Sequence, residues 1–117
     1  MSAAATFRRL ALALPGAVES SHMGAADFRL DNRIFATLAY QAKGLGTLKL
    51  TPEQQAVFLT EAPDLYTPAP GGWGRMGMTL IRLDAPEPVL AGALQTAYNT
   101  VASKHAAKSG TRRRTKP

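Results

Sequence analysis

The residues best placed to do chemistry in this sequence are Glu19 and His22, which lie three positions apart. A carboxylate beside an imidazole can bind a metal or share a proton. The alternative, which we favour, is a loop histidine that is hydrogen-bonded to the backbone or to a carboxylate. The chain has two histidines and no cysteine, and it contains no phosphate-binding glycine motif, nucleophile elbow or metal-ligand spacing. We therefore predict a protein that is not an enzyme and that has no cofactor and no metal site.

A glycine-rich segment, 70–77, contains the only tryptophan, Trp73, with Arg75 two positions later. Glycine lets a backbone approach another surface closely, while tryptophan and arginine contribute the most contact energy at binding sites. One interpretation is a recognition loop in which Arg75 pairs with phosphate or carboxylate and Trp73 stacks on the ligand. In the other, Trp73 covers the core and Arg75 stacks on its ring or neutralises a nearby carboxylate. The candidate ligand-recognition residues are His22, Trp73 and Arg75.

The positive charge of the chain is concentrated at its C-terminal end. The formal net charge is +6, yet residues 1–103 contain equal numbers of basic and acidic side chains, so the whole surplus lies in 104–117. Because residues 109–117 offer nothing to bury, we predict a globular domain at 1–107 and a disordered basic tail at 108–117. This tail either contacts phosphate backbones, through Arg112, Arg113 and Arg114, or serves only as a solubilising terminus.

Hydrophobic spacing predicts the elements that must position these residues. Apolar side chains recur every three or four positions in 3–14, in 52–62 and from about residue 87 onwards, which indicates three helices. A period of two indicates a hairpin around Asp31-Asn32 and strands at 47–50 and 77–83. The predicted order is α-β-β-β-α-β(β)-α, with a loop from Tyr66 to Trp73. This order favours a two-layer α+β fold, in which an antiparallel sheet carries its helices on one side.

The register of the first hairpin is open by one residue. A two-residue loop after Leu30 pairs Phe28 with Phe35, whereas a three-residue loop moves the pairing by one position. We prefer the three-residue loop, because it leaves Arg29 and Arg33 together on the face opposite Phe28.

Several motifs of the sequence resemble the MmcQ/YjbR family. They are Leu14-Pro15, Glu19, Ser21-His22, Asp27-Phe28-Arg29, Arg33-Ile34-Phe35-Ala36-Thr37-Leu38, Pro70-Gly71, Trp73-Gly74-Arg75, Gly77, Thr79 and Arg82-Leu83-Asp84. The resemblance extends from about Phe7 to Lys104, and the combination of the Phe-Ala-Thr-Leu strand with the Trp-Gly-Arg loop is fairly specific. It implies a two-layer α+β fold similar to frataxin and to secretion-chaperone domains.

The resemblance also implies a function, since the family is usually described as DNA-binding through a proposed double-wing arrangement of hairpins. On this chain the wings would be the tips at 31–33 and 41–46. The nucleic-acid-binding candidates are Arg29, Arg33, Lys43, Arg75, Arg112, Arg113 and Arg114. With so few cations at the tips, we predict weak, non-specific DNA binding by the tips and the tail.

The alternative prediction is a domain of the secretion-chaperone type that binds a protein or a small ligand through the sheet face and the Trp73 loop. A membrane partner is not expected, because no run of apolar residues approaches the roughly 18 that a spanning helix needs. The lack of cysteine fits a cytoplasmic protein.

Overall fold

The computed structural model describes the backbone of residues 2–114 and the side chains of residues 2–103. The helices are α1 (Ala3–Leu12), α2 (Pro52–Glu61), α3 (Gly71–Arg75) and α4 (Glu87–Arg114), with one turn of 3₁₀ helix at Gln41–Lys43. The strands are β1 (Val18–His22), β2 (Ala25–Leu30), β3 (Arg33–Thr37), β4 (Leu45–Lys49), β5 (Tyr66–Pro68) and β6 (Met78–Arg82). None of the helices described here combines the length and the hydropathy that a membrane span requires.

The six strands form one antiparallel sheet in the order β1-β2-β3-β4-β6-β5. Helices α1, α2 and α4 pack on one face of this sheet. Phe7 of α1 lies directly over Gly46 of β4, and Phe58 of α2 contacts Tyr66 of β5 with 4.9 Å between ring centroids. Leu90 and other apolar residues of α4 complete the same core. The predicted α+β fold, with helices on one side of an antiparallel sheet, is confirmed.

The sequence-based prediction missed strand β1 and the short helix α3, and it left open whether a second strand lies between α2 and α4. Strand β1 falls in a segment interpreted as a linker, because all five of its side chains are exposed and show no hydrophobic alternation. Strand β5 and helix α3 fall in the segment interpreted as a loop, where proline and glycine suggested no regular structure. The sheet therefore has six strands, and Trp73 lies on a helix.

The preferred three-residue loop of the first hairpin was wrong. Asp31 and Asn32 form a two-residue turn in which both φ angles are positive, at 52° and 66°. This is the type I′ geometry that matches the twist of a hairpin and that Asp and Asn tolerate. A bulge then shifts the register, so Phe28 pairs with Ala36. As a result both Phe28 and Phe35 are fully buried.

Helix α4 extends to Arg114, and its last residue in the described core is Val101. The side chains from residue 104 onward, and the whole of 115–117, lie outside the described part of the chain. The predicted domain boundary at 107 and the basic tail at 108–117, with Arg112, Arg113 and Arg114, therefore stay predictions.

Thr47 carries a buried hydroxyl in the middle of the sheet. Its side chain is fully buried, and its Oγ1 has no hydrogen-bond partner among the residues that the structure describes. A buried polar group without a partner costs about 1–3 kcal/mol. We expect Thr47→Val, which keeps the shape and removes the hydroxyl, to raise the free energy of unfolding by about 1 kcal/mol in urea titrations.

Thr79 provides the matched control, because it is equally buried but fully hydrogen-bonded. Its Oγ1 donates to the Gly77 carbonyl at 2.8 Å and accepts from the Gln55 amide at 3.1 Å. We expect Thr79→Val to lower the free energy of unfolding by about 1–2 kcal/mol. If both variants lowered the free energy of unfolding equally, the Thr47 hydroxyl would have a hydrogen-bond partner in solution.

Candidate binding cleft beside Trp73

Half of the basic side chains before residue 104 are already neutralised by carboxylates. Nitrogen–oxygen distances of 2.7–3.0 Å define the ion pairs Arg8–Glu19, Arg9–Glu87, Arg29–Asp27 and Arg82–Asp84. Arg33, Lys43, Lys49 and Arg75 form no ion pair with any described residue. These four side chains are the ones available to an anionic ligand.

Three of the four available cations lie at one end of the sheet, and we call Arg33, Lys49 and Arg75 the cation cluster. Arg33 begins β3, and Lys49 ends the antiparallel strand β4. Arg75 lies on α3, just before β6 starts opposite Lys49. Lys43 precedes β4 at the other end of the sheet. Strand β4 lies between Lys43 and Lys49. Its four residue steps of roughly 3.4 Å place the two ends of the sheet roughly 14 Å apart.

A cleft of about 410 Å³ opens at the same end of the sheet. Its wall combines two members of the cation cluster with apolar side chains, and we call it the Trp73 cleft: Arg33, Ile34, Lys49, Trp73, Met76 and Met78. The volume lies within the range of about 300–1,000 Å³ that is usual for small-ligand sites. The Trp73 cleft therefore offers positive charge and an aromatic surface in one place.

A larger cavity, of about 620 Å³, lies at the opposite end, beside the start of α1. Its basic lining residues are Lys43 and Arg82, and Arg82 is held by Asp84 through two hydrogen bonds of 3.0 and 2.7 Å. None of its described lining residues is aromatic, so this part of the chain offers one available cation there and no stacking surface.

Contacts with the backbone fix α3, and with it Trp73, against the rest of the protein. The Gln55 side-chain amide donates to the carbonyls of Gly74 and Met78, at 3.0 and 3.1 Å. Gly74 is buried so close to Ala69 that a Cβ atom would lie 2.0 Å from the Ala69 carbonyl oxygen. The helix is therefore held from two sides, while Trp73 remains 54% exposed.

This exposure does not fit the interpretation in which Trp73 covers the core. The ring contacts of the described residues are Phe7–Phe28, Phe35–Tyr98 and Phe58–Tyr66, and none of them involves Trp73. No stacking of Arg75 on the indole is found among these contacts. Both side chains are exposed, on a helix in which Gly74 is the buried residue.

Arg29 lies within β2 and is already paired. It donates two hydrogen bonds, of 2.8 and 3.1 Å, to the two carboxylate oxygens of the buried Asp27. These hydrogen bonds raise the pKa of Arg29 above its ordinary value. Arg29 lies opposite Ile34, whereas Arg33 lies opposite Leu30. Because successive residues of a strand point to opposite faces, the prediction that the two arginines share one face was wrong.

The two predicted wings do not lie side by side. The tip at 31–33 precedes β3, and the segment 41–46 follows it, so the two are at opposite ends of the sheet. Arg33 is brought together with Trp73, and Lys43 is brought together with the start of α1.

His22 is separated from the other two ligand-recognition candidates. It ends the edge strand β1 opposite Ala25, at the end of the sheet that is remote from α3. Glu19 forms a hydrogen bond with Arg8 at 3.0 Å. Of the three candidates, the structure places Trp73 and Arg75 on one helix and His22 elsewhere. No group of three metal-ligating residues occurs among the described side chains.

Sequence reasoning overlooked Lys49 and the two methionines of the Trp73 cleft. The period of two in β4 places Lys49 on the face opposite Leu48, and this was the signal that could have found it. Met76 is 67% exposed and lies within the glycine-rich segment. Its proximity to Arg33 depends on strand pairing between distant segments, which one sequence does not reveal.

Comparisons with known proteins identify relatives of the chain. A family model described as YjbR matches residues 12–100. Among solved structures, the chain is similar to protein DR2400 of Deinococcus radiodurans, which contains the family-model domain DUF419. The TM-score is 0.69 at 20% sequence identity, over 84% of this chain and 77% of that chain, which shows a shared fold. No curated protein matches the chain.

Proposed function

The chain belongs to the YjbR family, and we propose that it is a non-enzymatic protein with weak, largely sequence-independent affinity for nucleic acid. The observation that carries the proposal is that Arg33 and Lys49, which have no carboxylate partner among the described residues, line one cleft, while the equally unpaired Arg75 lies on the adjoining helix α3. The predicted basic tail adds further cations. Phosphate contacts supply most of non-specific nucleic-acid affinity.

The number of available cations limits the expected affinity. Arg33 and Lys49 in the Trp73 cleft, together with Arg75 on the adjoining helix, neutralise at most about three phosphates, and each contact changes the slope of log K against log salt by about 0.9 on duplex DNA. The two arginines of α1, Arg8 and Arg9, are each paired with a glutamate, so this helix does not offer a free basic row. Base-specific readout in a groove would need such side chains, and we therefore propose binding without sequence specificity.

A second candidate function is the binding of a protein or a small ligand in the same cleft. The apolar part of its wall, with Ile34, Met76 and Met78, supports this alternative. Methionine suits a site that adapts to different apolar partners. Such a ligand would depend on these apolar side chains, and its affinity would be nearly independent of salt.

Charge-removing substitutions test the proposal. We expect Arg33→Gln and Lys49→Gln each to weaken binding to a labelled DNA at about 50 mM salt, and each to flatten the salt slope by about 0.9 on duplex or about 0.7 on single strands. Lys43→Gln removes the same charge at the remote end of the sheet and should leave the slope unchanged. Fluorescence anisotropy measures all three. If Lys43→Gln weakened binding and flattened the salt slope as much as the other two substitutions, the double-wing arrangement would be favoured. If the unaltered protein did not bind DNA, the proposal would be wrong.

A further inference from the structure

We propose that the Trp73 cleft binds a single-stranded segment of nucleic acid, with one base stacked on the Trp73 indole and the adjoining phosphates on Arg33 and Lys49. This inference rests on the proposed function and adds the class of nucleic acid and the mode of contact. It is carried by the position of an exposed, backbone-anchored tryptophan in one cleft with Arg33 and Lys49.

The indole is available for stacking, and the backbone that carries it is held in place. Trp73 is 54% exposed, yet its neighbour Gly74 is buried against the Ala69 carbonyl, and the Gln55 amide donates to the Gly74 carbonyl at 3.0 Å. A ligand would therefore have to order only the side-chain rotamer of Trp73 and not its backbone. Preorganisation of this kind lowers the entropic cost of binding.

The surroundings of the indole match a nucleotide in their chemistry. Met76 and Met78 extend the apolar surface that a base would cover, and Arg33 and Lys49 place two cations on the same wall. Aromatic side chains combined with a positively charged groove are the features by which proteins bind single strands without sequence preference. Arg75 is exposed on the same helix but is not one of the residues that line the cleft.

A duplex fits this site less well than a single strand does. The faces of paired bases are covered by their neighbours, so an indole can stack only on a base that has left the helix. The two hairpin tips, which would have to reach one duplex together, lie at opposite ends of the sheet. The charge of the cleft can still attract a duplex, but the exposed indole would then have no role.

Fluorescence of Trp73 tests the inference directly, because it is the only tryptophan of the chain. The probe is an oligothymidylate of about 12 nucleotides, compared with the same strand annealed to its complement. We expect saturable quenching by the single strand, no quenching by the duplex, and at least about tenfold tighter binding of the single strand.

Substitutions in the full-length protein separate stacking from charge. With a labelled oligothymidylate, Trp73→Ala should weaken binding about 5- to 150-fold, the range that corresponds to the loss of one base–aromatic contact. Trp73→Phe keeps an aromatic ring, so it should lose less affinity for the oligothymidylate than Trp73→Ala does. Val57→Ala is the control, because Val57 is similarly exposed, at 51%, but lies on α2 away from the cleft lining. Circular dichroism verifies that each variant is folded.

The possible outcomes distinguish this inference from the proposed function. Binding of the duplex with equal or greater affinity and without quenching would overturn the single-strand inference and leave the nucleic-acid proposal standing. Single-strand binding that is unchanged in Trp73→Ala would also overturn it. If neither the single strand nor the duplex bound, both the single-strand inference and the proposed nucleic-acid function would be wrong.

Discussion

Replacing Gly77 with alanine is expected to lower the free energy of unfolding by roughly 3–5 kcal/mol. Gly77 has a φ of +108°, a region that residues with a side chain rarely adopt, and an added Cβ would lie 2.0 Å from the Leu50 carbonyl oxygen. The obstacle is backbone, which cannot move aside as a flexible side chain can. Urea or thermal denaturation measures the loss.

The control for this substitution is Gly92→Ala on α4. An added Cβ at Gly92 meets nothing within 4 Å, and the residue is exposed within a helix. Alanine should therefore raise the free energy of unfolding by roughly 0.5–1 kcal/mol, because it has the higher helix propensity. If Gly77→Ala lowered the free energy of unfolding by no more than Gly92→Ala changes it, the backbone next to α3 would adapt easily to a side chain. Trp73 would then not be held rigidly.

Deleting residues 109–117 is expected to have the largest effect on the salt dependence of binding. The deletion removes Arg112, Arg113, Arg114 and Lys116. If each contacts a phosphate, the slope of log K against log salt should flatten by about 3–4 on duplex DNA and by about 3 on single strands. The melting temperature should stay within experimental error, because every residue of the described core lies at or before Val101.

A variant with the residues of 109–117 in scrambled order controls for the deletion. It keeps the four cations, and since phosphate contacts by such a segment carry no sequence information, its salt slope should equal that of the unaltered protein. An unchanged slope in the deletion variant would mean that cations before residue 109 supply the affinity. A large fall in melting temperature would show that the C-terminal residues stabilise the domain.

The fold followed from patterns that are local in the sequence. The capping box of Thr51 and Gln54 is present with both of its hydrogen bonds, at 3.1 and 2.9 Å, and it starts α2 where it was predicted. Strand β1 gave no signal, because an edge strand with five exposed side chains needs no apolar alternation. The bulge in β3 could not be predicted from the turn residues. It lets both Phe28 and Phe35 be buried, and that burial depends on how the hairpin packs in the core.

The candidate site was predictable only in part. Trp73 and Arg75 stand out in the sequence because a lone tryptophan among glycines is unusual. The position of Trp73 beside Arg33 and Lys49 depends on antiparallel pairing over the whole sheet, which places the start of β3 and the end of β4 beside α3. The neutralisation of Arg29 by Asp27 is likewise a contact that net charge does not reveal.

An NMR titration of the ¹⁵N-labelled full-length protein with oligothymidylate directly tests whether nucleic acid binds at the Trp73 cleft. We expect the largest chemical-shift changes at the amides of Arg33, Lys49 and residues 71–76 and at the indole N–H of Trp73. The amide signals of residues 41–46, which lie at the other end of the sheet, should change little. Large changes at 41–46 with an unperturbed Trp73 indole would show that nucleic acid binds at the other end of the sheet and not at the Trp73 cleft.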